Sequence, residues 1–236
     1  MMFSENNLKR LLKQRLEALY IHDTNNRLLT VNEPDTNQET PYFVIMRSEE
    51  NLLWRVRHDV SDDVVASLGK ILQSEPATND FASPLKYQND YLDILGQHAP
   101  IERVQSGPAY ILPESQTTQK TVLIAEDNTE VLAEHFPYTL EIFDFRSPIT
   151  AMVIDDTAVA VCFCARKTEH VAEAGVFTLE GYRKLGFAKL VVNDWAVAVR
   201  QEGLVPIYST SYDNIASQSV ANTLGARQFA TDFGFY

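Results

Sequence analysis

The chain has 236 residues, 45% hydrophobic and 22% charged, enough to bury a full core in one large domain or two smaller ones. No apolar run approaches the roughly 18–20 residues that cross a bilayer as a helix. A net charge of −12 repels phosphate backbones and anionic lipid, so neither nucleic acid nor membrane is an expected partner. Met1 to Asn6 run into a charged segment rather than an apolar leader, which makes the cytoplasm the expected compartment.

Leu8, Leu11, Leu12, Leu16 and Leu19 recur at helical spacing, with Ser4 placed to cap the helix. Residues 24–40 are polar and read as loop with weak strand. Apolar runs at 41–46 and 52–57, joined by the polar residues 48–51, predict two strands. Ser61 is placed to cap a helix carrying Val64, Val65, Leu68, Ile71 and Leu72, with Pro76 beyond it, and a short helix over 88–95 stops at Gly96. Residues 107–113 predict a turn leading into a strand. Residues 114–120 predict a linker, so residues 1–115 form an expected α+β unit and residues 120–236 a second one.

In the second unit, residues 121–125 predict a strand. Asp127 or Asn128 is placed to cap a helical stretch interrupted at Pro137. Strands over 149–154 and 158–165 are joined by the tight turn Asp155, Asp156, Thr157. A strand over 174–179 leads into a helix with Phe187, Leu190, Val191, Trp195 and Ala198 on its apolar face. A strand over 207–211, a helix over 214–224 closed by Gly225, and a last strand over 228–236 complete the chain. The order β-α-β-β-β-α-β-α-β predicts an α/β (α+β) fold, a mixed sheet with helices on both faces. The final strand, ending in Phe233 to Tyr236, is expected as an exposed edge able to pair with another copy in a homodimer.

Cys162 and Cys164, two apart in an apolar run, point to one face and cannot form an ordinary disulfide with each other. They read as core, and with His170 alone nearby no metal site is expected. Val122 to Asn128 superficially resembles the acidic opening of a phosphorylation receiver domain. The aspartate such a domain needs about 45 residues later is missing. The strand, loop and helix over 174–200 carry more. A glycine-containing turn into a helix N-terminus offers unpaired N–H groups and the positive end of the helix dipole, which together suit phosphates. Arg183, Gly186 and Ala188 lie in this turn, with Lys184 and Lys189 adding charge.

Val176, Phe177, Thr178, and Arg183, Lys184, Leu185, Gly186, Phe187, Ala188 resemble motif A of the GNAT superfamily of N-acetyltransferases. About 25 residues later, Tyr208 to Ser217 followed by Val220 to Ala226 is similar to that family's motif B. The resemblance covers roughly residues 120–236. It implies a mostly antiparallel GNAT-like sheet, acetyl-CoA as co-substrate without a metal, and direct transfer of acetyl to the amine of a small molecule. It also implies that Val176, Phe177 and Thr178 line the pantetheine arm, with the pyrophosphate on the loop from Arg183 and Lys184 to Lys189. Asn214 and Ser217 would stand at the thioester end. Glu173 is the expected general base, with Tyr212 and Ser209 nearest to replace the tyrosine that many members carry seven residues after the motif B asparagine. That position here is Ala221. Ala221 keeps a second reading open, a non-catalytic acyl-CoA-binding module signalling through the N-terminal unit, which the resemblance allows to be a degenerate second copy or a cover for the acceptor.

Overall fold

The computed structural model describes residues 5–34 and 38–236. The chain runs α1 (Glu5–Leu19), β1 (Tyr20–His22), β2 (Leu28–Val31), β3 (Phe43–Arg47), β4 (Leu52–Val56), α2 (Asp62–Leu72), α3 (Gln88–Leu95) and β5 (Val104–Ile111). Then come β6 (Val122–Ile124), a 3-10 turn (Thr129–Leu132), α4 (Pro137–Glu141), α5 (Phe143–Arg146), β7 (Ile149–Ile154), β8 (Thr157–Lys167) and β9 (Val171–Thr178). A second 3-10 turn (Glu180–Tyr182), α6 (Phe187–Gln201), β10 (Val205–Ser209), α7 (Ile215–Thr223) and β11 (Arg227–Phe235) follow. Ser4, the expected first cap, lies outside the described residues.

Nine strands form one sheet in the order β4-β3-β11-β5-β10-β9-β8-β7-β6, and only the β10–β9 pairing is parallel. This is the mixed, mostly antiparallel sheet expected from the sequence. Strands from before and after residue 115 share it: β11 lies between β3 and β5, and β5 between β11 and β10. The terminal strand is therefore not an edge, contrary to the sequence reading. Phe233 and Phe235 bury against Phe43, Ile45 and the α2–α3 pair, so the strand is more stable with a neighbour on each side.

The two faces are covered differently. The leucines of α1 lie across the middle of one face, on Val44, Met46, Ala109, Ile111, Val171 and Ile207. Each fully buried leucine there contributes about 2 kcal/mol. The opposite face carries α2 and α3 on its β4-β3-β11 side and α6 on its β8–β10 side. Cys162 and Cys164 bury completely under α6 beside Trp195. Burial pushes both thiols up, Cys164 to about 12.

The 155–156 turn forms as expected, with φ of 49° at Asp155 and 58° at Asp156 matching the twist of the flanking strands. Asn128 makes no helix cap; its Oδ1 accepts from the Ala125 N–H at 2.8 Å and holds a turn. Pro137 opens α4 rather than interrupting a helix, since a first-turn residue needs no N–H. Residues 114–120 are anchored through Asp194 of α6, which accepts from the Thr118 N–H, Thr118 Oγ1 and Thr121 Oγ1, each at 2.7 Å. No helix among the described residues is long and apolar enough to cross a membrane.

Candidate active site

The parallel ladder between β9 and β10 stops at Ile207 opposite Glu173. Beyond it β9 continues on β8 as far as Thr178 opposite Ala160, while Tyr208 and Ser209 follow β5. The two strands part, and the edge of β9 from Ala174 to Thr178 has no strand against it. Glycine helps to open the fork. A Cβ on Gly107 of β5 would stand 1.8 Å from the Thr210 carbonyl oxygen, so only glycine lets the end of β10 close so tightly onto β5. Residues 107 and 108 therefore lie inside a strand, not in the turn that their composition suggests.

Val176, Phe177 and Thr178 lie on the free edge of β9. Thr178 Oγ1 is buried without a hydrogen-bond partner, and Phe177 is 48% exposed, a large apolar ring open to solvent beside the fork. At its far end the strand passes into the loop that the sequence singled out. Arg183 Nε donates to the Thr178 carbonyl at 3.3 Å, and the Tyr182 and Phe187 rings stack. Lys184 (φ 64°) and Gly186 (φ 82°) are both left-handed. Gly186 is the N-cap of α6, and no side chain caps the helix. Its glycine is required by this backbone more than by crowding, since the nearest atom to a Cβ would be the flexible Lys189 Cε at 3.4 Å. The first N–H groups of α6 are left for an outside acceptor. Arg183, Lys184 and Lys189 are exposed, and no described carboxylate pairs with them. Leu185 and Ala188 complete the loop and the first turn. In a chain of net charge −12 this is a local concentration of positive charge suited to phosphates.

At the closed end of the fork the expected acid–base residues separate into two groups. Glu173 lies within β9, not ahead of it, because Val171 and Ala172 already pair with β10. Its side chain is buried beneath α1. Its Oε2 accepts from Ser209 Oγ at 2.8 Å, and its Oε1 accepts from Arg15 Nε. Arg15 also reaches Asp232 of β11, through Nη1 at 2.7 Å and Nη2 at 2.6 Å. Tyr212 is not joined to this pair. Its hydroxyl meets the Phe81 carbonyl at 2.7 Å, Thr231 Oγ1 at 2.9 Å and Gln228 Nε2 at 3.1 Å, tying the end of β10 to the loop between α2 and α3.

Asn214 caps α7, its Oδ1 accepting from the Ser217 N–H at 3.0 Å. Ser217 Oγ is 2.7 Å from the hydroxyl of Tyr208, the first β10 residue past the fork. Burial raises that phenol to about 12 against the opposing pull of Ser217. Ala221 is the fully buried residue on the inner face of α7, in the same cluster as Tyr208. Arg15 and Tyr208 are the two fork residues that sequence reasoning missed. The signal for Arg15 was present: it stands inside the leucine stripe of α1, three residues after Leu12 and four before Leu19. Among the described residues no group of three or more His, Cys, Asp or Glu could hold a metal ion.

A sheet that forks beside an uncapped, positively charged helix N-terminus is the arrangement expected from the resemblance to the acetyl-CoA-dependent GNAT fold. The sequence profile of the GNAT acetyltransferases matches residues 115–232, 118 of the 236 residues. The chain belongs to the GNAT acetyltransferase family. Solved structures similar to it include a GNAT-family acetyltransferase from Novosphingobium aromaticivorans, at 19% identity and TM-score 0.46, covering 57% of this chain and 65% of that one. The chain thus spans just under two thirds of that relative's length. A GCN5-related N-acetyltransferase-like protein from Streptococcus suis is similar at 16% identity and TM-score 0.49 over 86% of each chain. A GNAT-family acetyltransferase from Colwellia psychrerythraea is similar at 12% identity and TM-score 0.48, covering 100% of this chain and 98% of that one. No curated protein sequence matches.

Proposed function

We propose that the protein transfers acetyl from acetyl-CoA to the amine of a small molecule, with the reacting groups meeting at the closed end of the β9–β10 fork. The observation that carries this is the Ser209–Glu173 hydrogen bond lying where the two strands part. Acetyl-CoA as co-substrate supplies the activated thioester. The free edge of β9 over 176–178, the buried unpartnered Thr178 hydroxyl and the α6 N-terminus from Lys184 to Lys189 fit a pantetheine arm and a pyrophosphate. Asn214 and Ser217 define the α7 wall.

Ser209 is the more exposed member of the proton-accepting pair. It takes the proton of the attacking amine on Oγ as its own proton moves to Glu173 Oε2, so the carboxylate acts through the hydroxyl. Departure of CoA as thiolate requires no side-chain acid, because a free thiol ionises near pH 8.5. Tyr212 supports the acceptor side instead of donating a proton, since its hydroxyl is committed to Phe81 and Thr231. That link favours an N-terminal unit, residues 1–115, that covers the acceptor.

The experiment is the release of free thiol from acetyl-CoA with a panel of primary amines, monitored by a thiol reagent. Amine-dependent release that falls on Ser209→Ala and Glu173→Gln supports the reading. One observation favours a second reading. Ala221 puts a methyl where many relatives carry a phenol, as a module that binds acyl-CoA without turnover would tolerate. CoA binding without thiol release on any amine is the outcome that would select it.

A further inference from the structure

Arg15 lies outside the family-matched segment and outside both motifs, yet it is buried to 1% exposure beside the fork. Burial alone would make the guanidinium easier to deprotonate. Asp232 and then Glu173 more than offset that and hold it cationic. Its further hydrogen bond is to the Met46 sulfur at 3.9 Å. A leucine at position 15 would continue the stripe of α1 without desolvating a charge, and buried ion pairs are often no more stable than apolar side chains of similar size. Stability therefore does not account for an arginine here. An arginine does supply direction. It occupies Oε1 of Glu173 and leaves Oε2 to Ser209, the group that stands at the end of the fork.

The other charged and titratable groups around this carboxylate come from four elements. Asp232 on β11 shares the guanidinium. Arg166 on β8 is opposite Glu173 in register but is turned to Glu33 and Gln38. Tyr20, the first residue of β1, and Tyr236 hydrogen bond to each other and lie within electrostatic reach of Arg166, Tyr20 also of Arg15 and Asp232.

We propose that Arg15 is a positioning residue for acyl transfer, acting from the N-terminal helix through Glu173 to orient the Ser209–Glu173 pair. The proposal rests on reading that pair as the proton acceptor. On this account the family-matched segment is incomplete as a catalyst, and α1 supplies the missing cation.

The test uses full-length protein and saturating acetyl-CoA with the amine that releases thiol fastest. Wild type, Arg15→Met, Arg15→Lys, Glu173→Gln and the Arg15→Met/Glu173→Gln double variant are compared for kcat, KM of the amine and Kd of acetyl-CoA, with circular dichroism to establish folding. Arg15→Met should lower kcat by up to about a hundredfold, the cost of a misplacement of about 1 Å, while the Kd for acetyl-CoA is unchanged. Arg15→Lys should return part of the rate, because an ammonium keeps the charge without the fork. The double variant should be no slower than Glu173→Gln alone, as expected of two residues acting as one unit. A folded Arg15→Met with wild-type kcat overturns the proposal, as does a double variant slowed by the product of the two single effects. If Arg15→Met does not fold, Arg15→Lys decides: a several-fold drop in kcat is expected, and an unchanged rate overturns it. Wild-type kcat in Glu173→Gln instead removes the reading beneath, and no thiol release from wild type with any amine removes both.

Discussion

Arg47 and Arg15 are buried against opposite faces of the sheet, and their surroundings differ in one respect. Arg47 of β3 lies near Glu75, at 3.9 Å, and donates to the Pro84 carbonyl at 3.1 Å, to the Ser83 carbonyl and to Ser83 Oγ. Glu75 accepts from the Lys86 N–H at 2.8 Å, the Tyr87 N–H at 3.2 Å and the Tyr91 hydroxyl at 3.0 Å. Every hydrogen-bonding or ionic partner there is a loop or helix group of the α2–α3 region, with the Phe233 ring of β11 under the guanidinium, so the cluster clamps a loop. Arg15 and Glu173 make the same pairing but hand one carboxylate oxygen to a hydroxyl at the fork. A buried ion pair is therefore not diagnostic of a site by itself. What distinguishes the second is a partner left facing a gap in the sheet.

Substitutions should separate the two clusters. The largest effect expected is on turnover. Glu173→Gln should reduce kcat/KM by roughly a hundredfold or more, the usual range for a lost general base. The matching change Glu75→Gln should leave kcat/KM of the folded protein unaltered while lowering its melting temperature. Equal losses of activity in the two variants would erase the distinction. Next in size is stability. Arg47→Met should cost roughly 3 kcal/mol or more by urea denaturation, because Glu75 is left buried without its cation, and should not change the Kd for acetyl-CoA. Gly186→Asp should weaken CoA binding about tenfold or more, placing a carboxylate where the phosphates are expected, and should lower stability by about 1 kcal/mol through the strain of an L-residue at positive φ. Unchanged affinity would sever the loop from the site.

The smallest effect concerns the linker anchor. Asp194→Ala should destabilise by about 1–3 kcal/mol, leaving Thr118 and Thr121 without their acceptor. Burial alone would raise the Asp194 carboxyl, but hydrogen bonds from Thr118, Thr121 and Asn193 outweigh it and hold it below the usual carboxylate range. A depressed folded-state value means that its stabilisation is complete above the unfolded carboxylate pKa near 3.9 and is lost as pH falls through the folded value. The wild-type minus variant difference should thus be constant near neutrality and shrink below about pH 4. A difference that grew on acidification would reverse that sign.

Local signals carried most of the elements and half of the site. The α3 helix, the 155–156 turn and the loop into α6 were legible because each depends on residues close in sequence: a terminal glycine, two short acidic residues at positive φ, a left-handed glycine cap. The position of β11 was not legible. Its alternation suits an edge as well as an interior, and only the apolar neighbours on β3 and β5 decide. Glu173 looked like a strand entrance because a buried carboxylate is a poor strand residue until its partner is known. That partner is 158 residues away. Gly107 and Pro108 carry the composition of a turn but serve a strand that another backbone crosses closely. Arg15 could have been read from its place among the leucines, though not what it was for.

The fork between β9 and β10 is tested most directly by a crystal structure of the protein with CoA. The expected result has the pyrophosphate on the N–H groups between Lys184 and Lys189, the pantetheine along residues 176–178, and the sulfur near Ser209. CoA bound elsewhere, with the free edge of β9 empty, would contradict it.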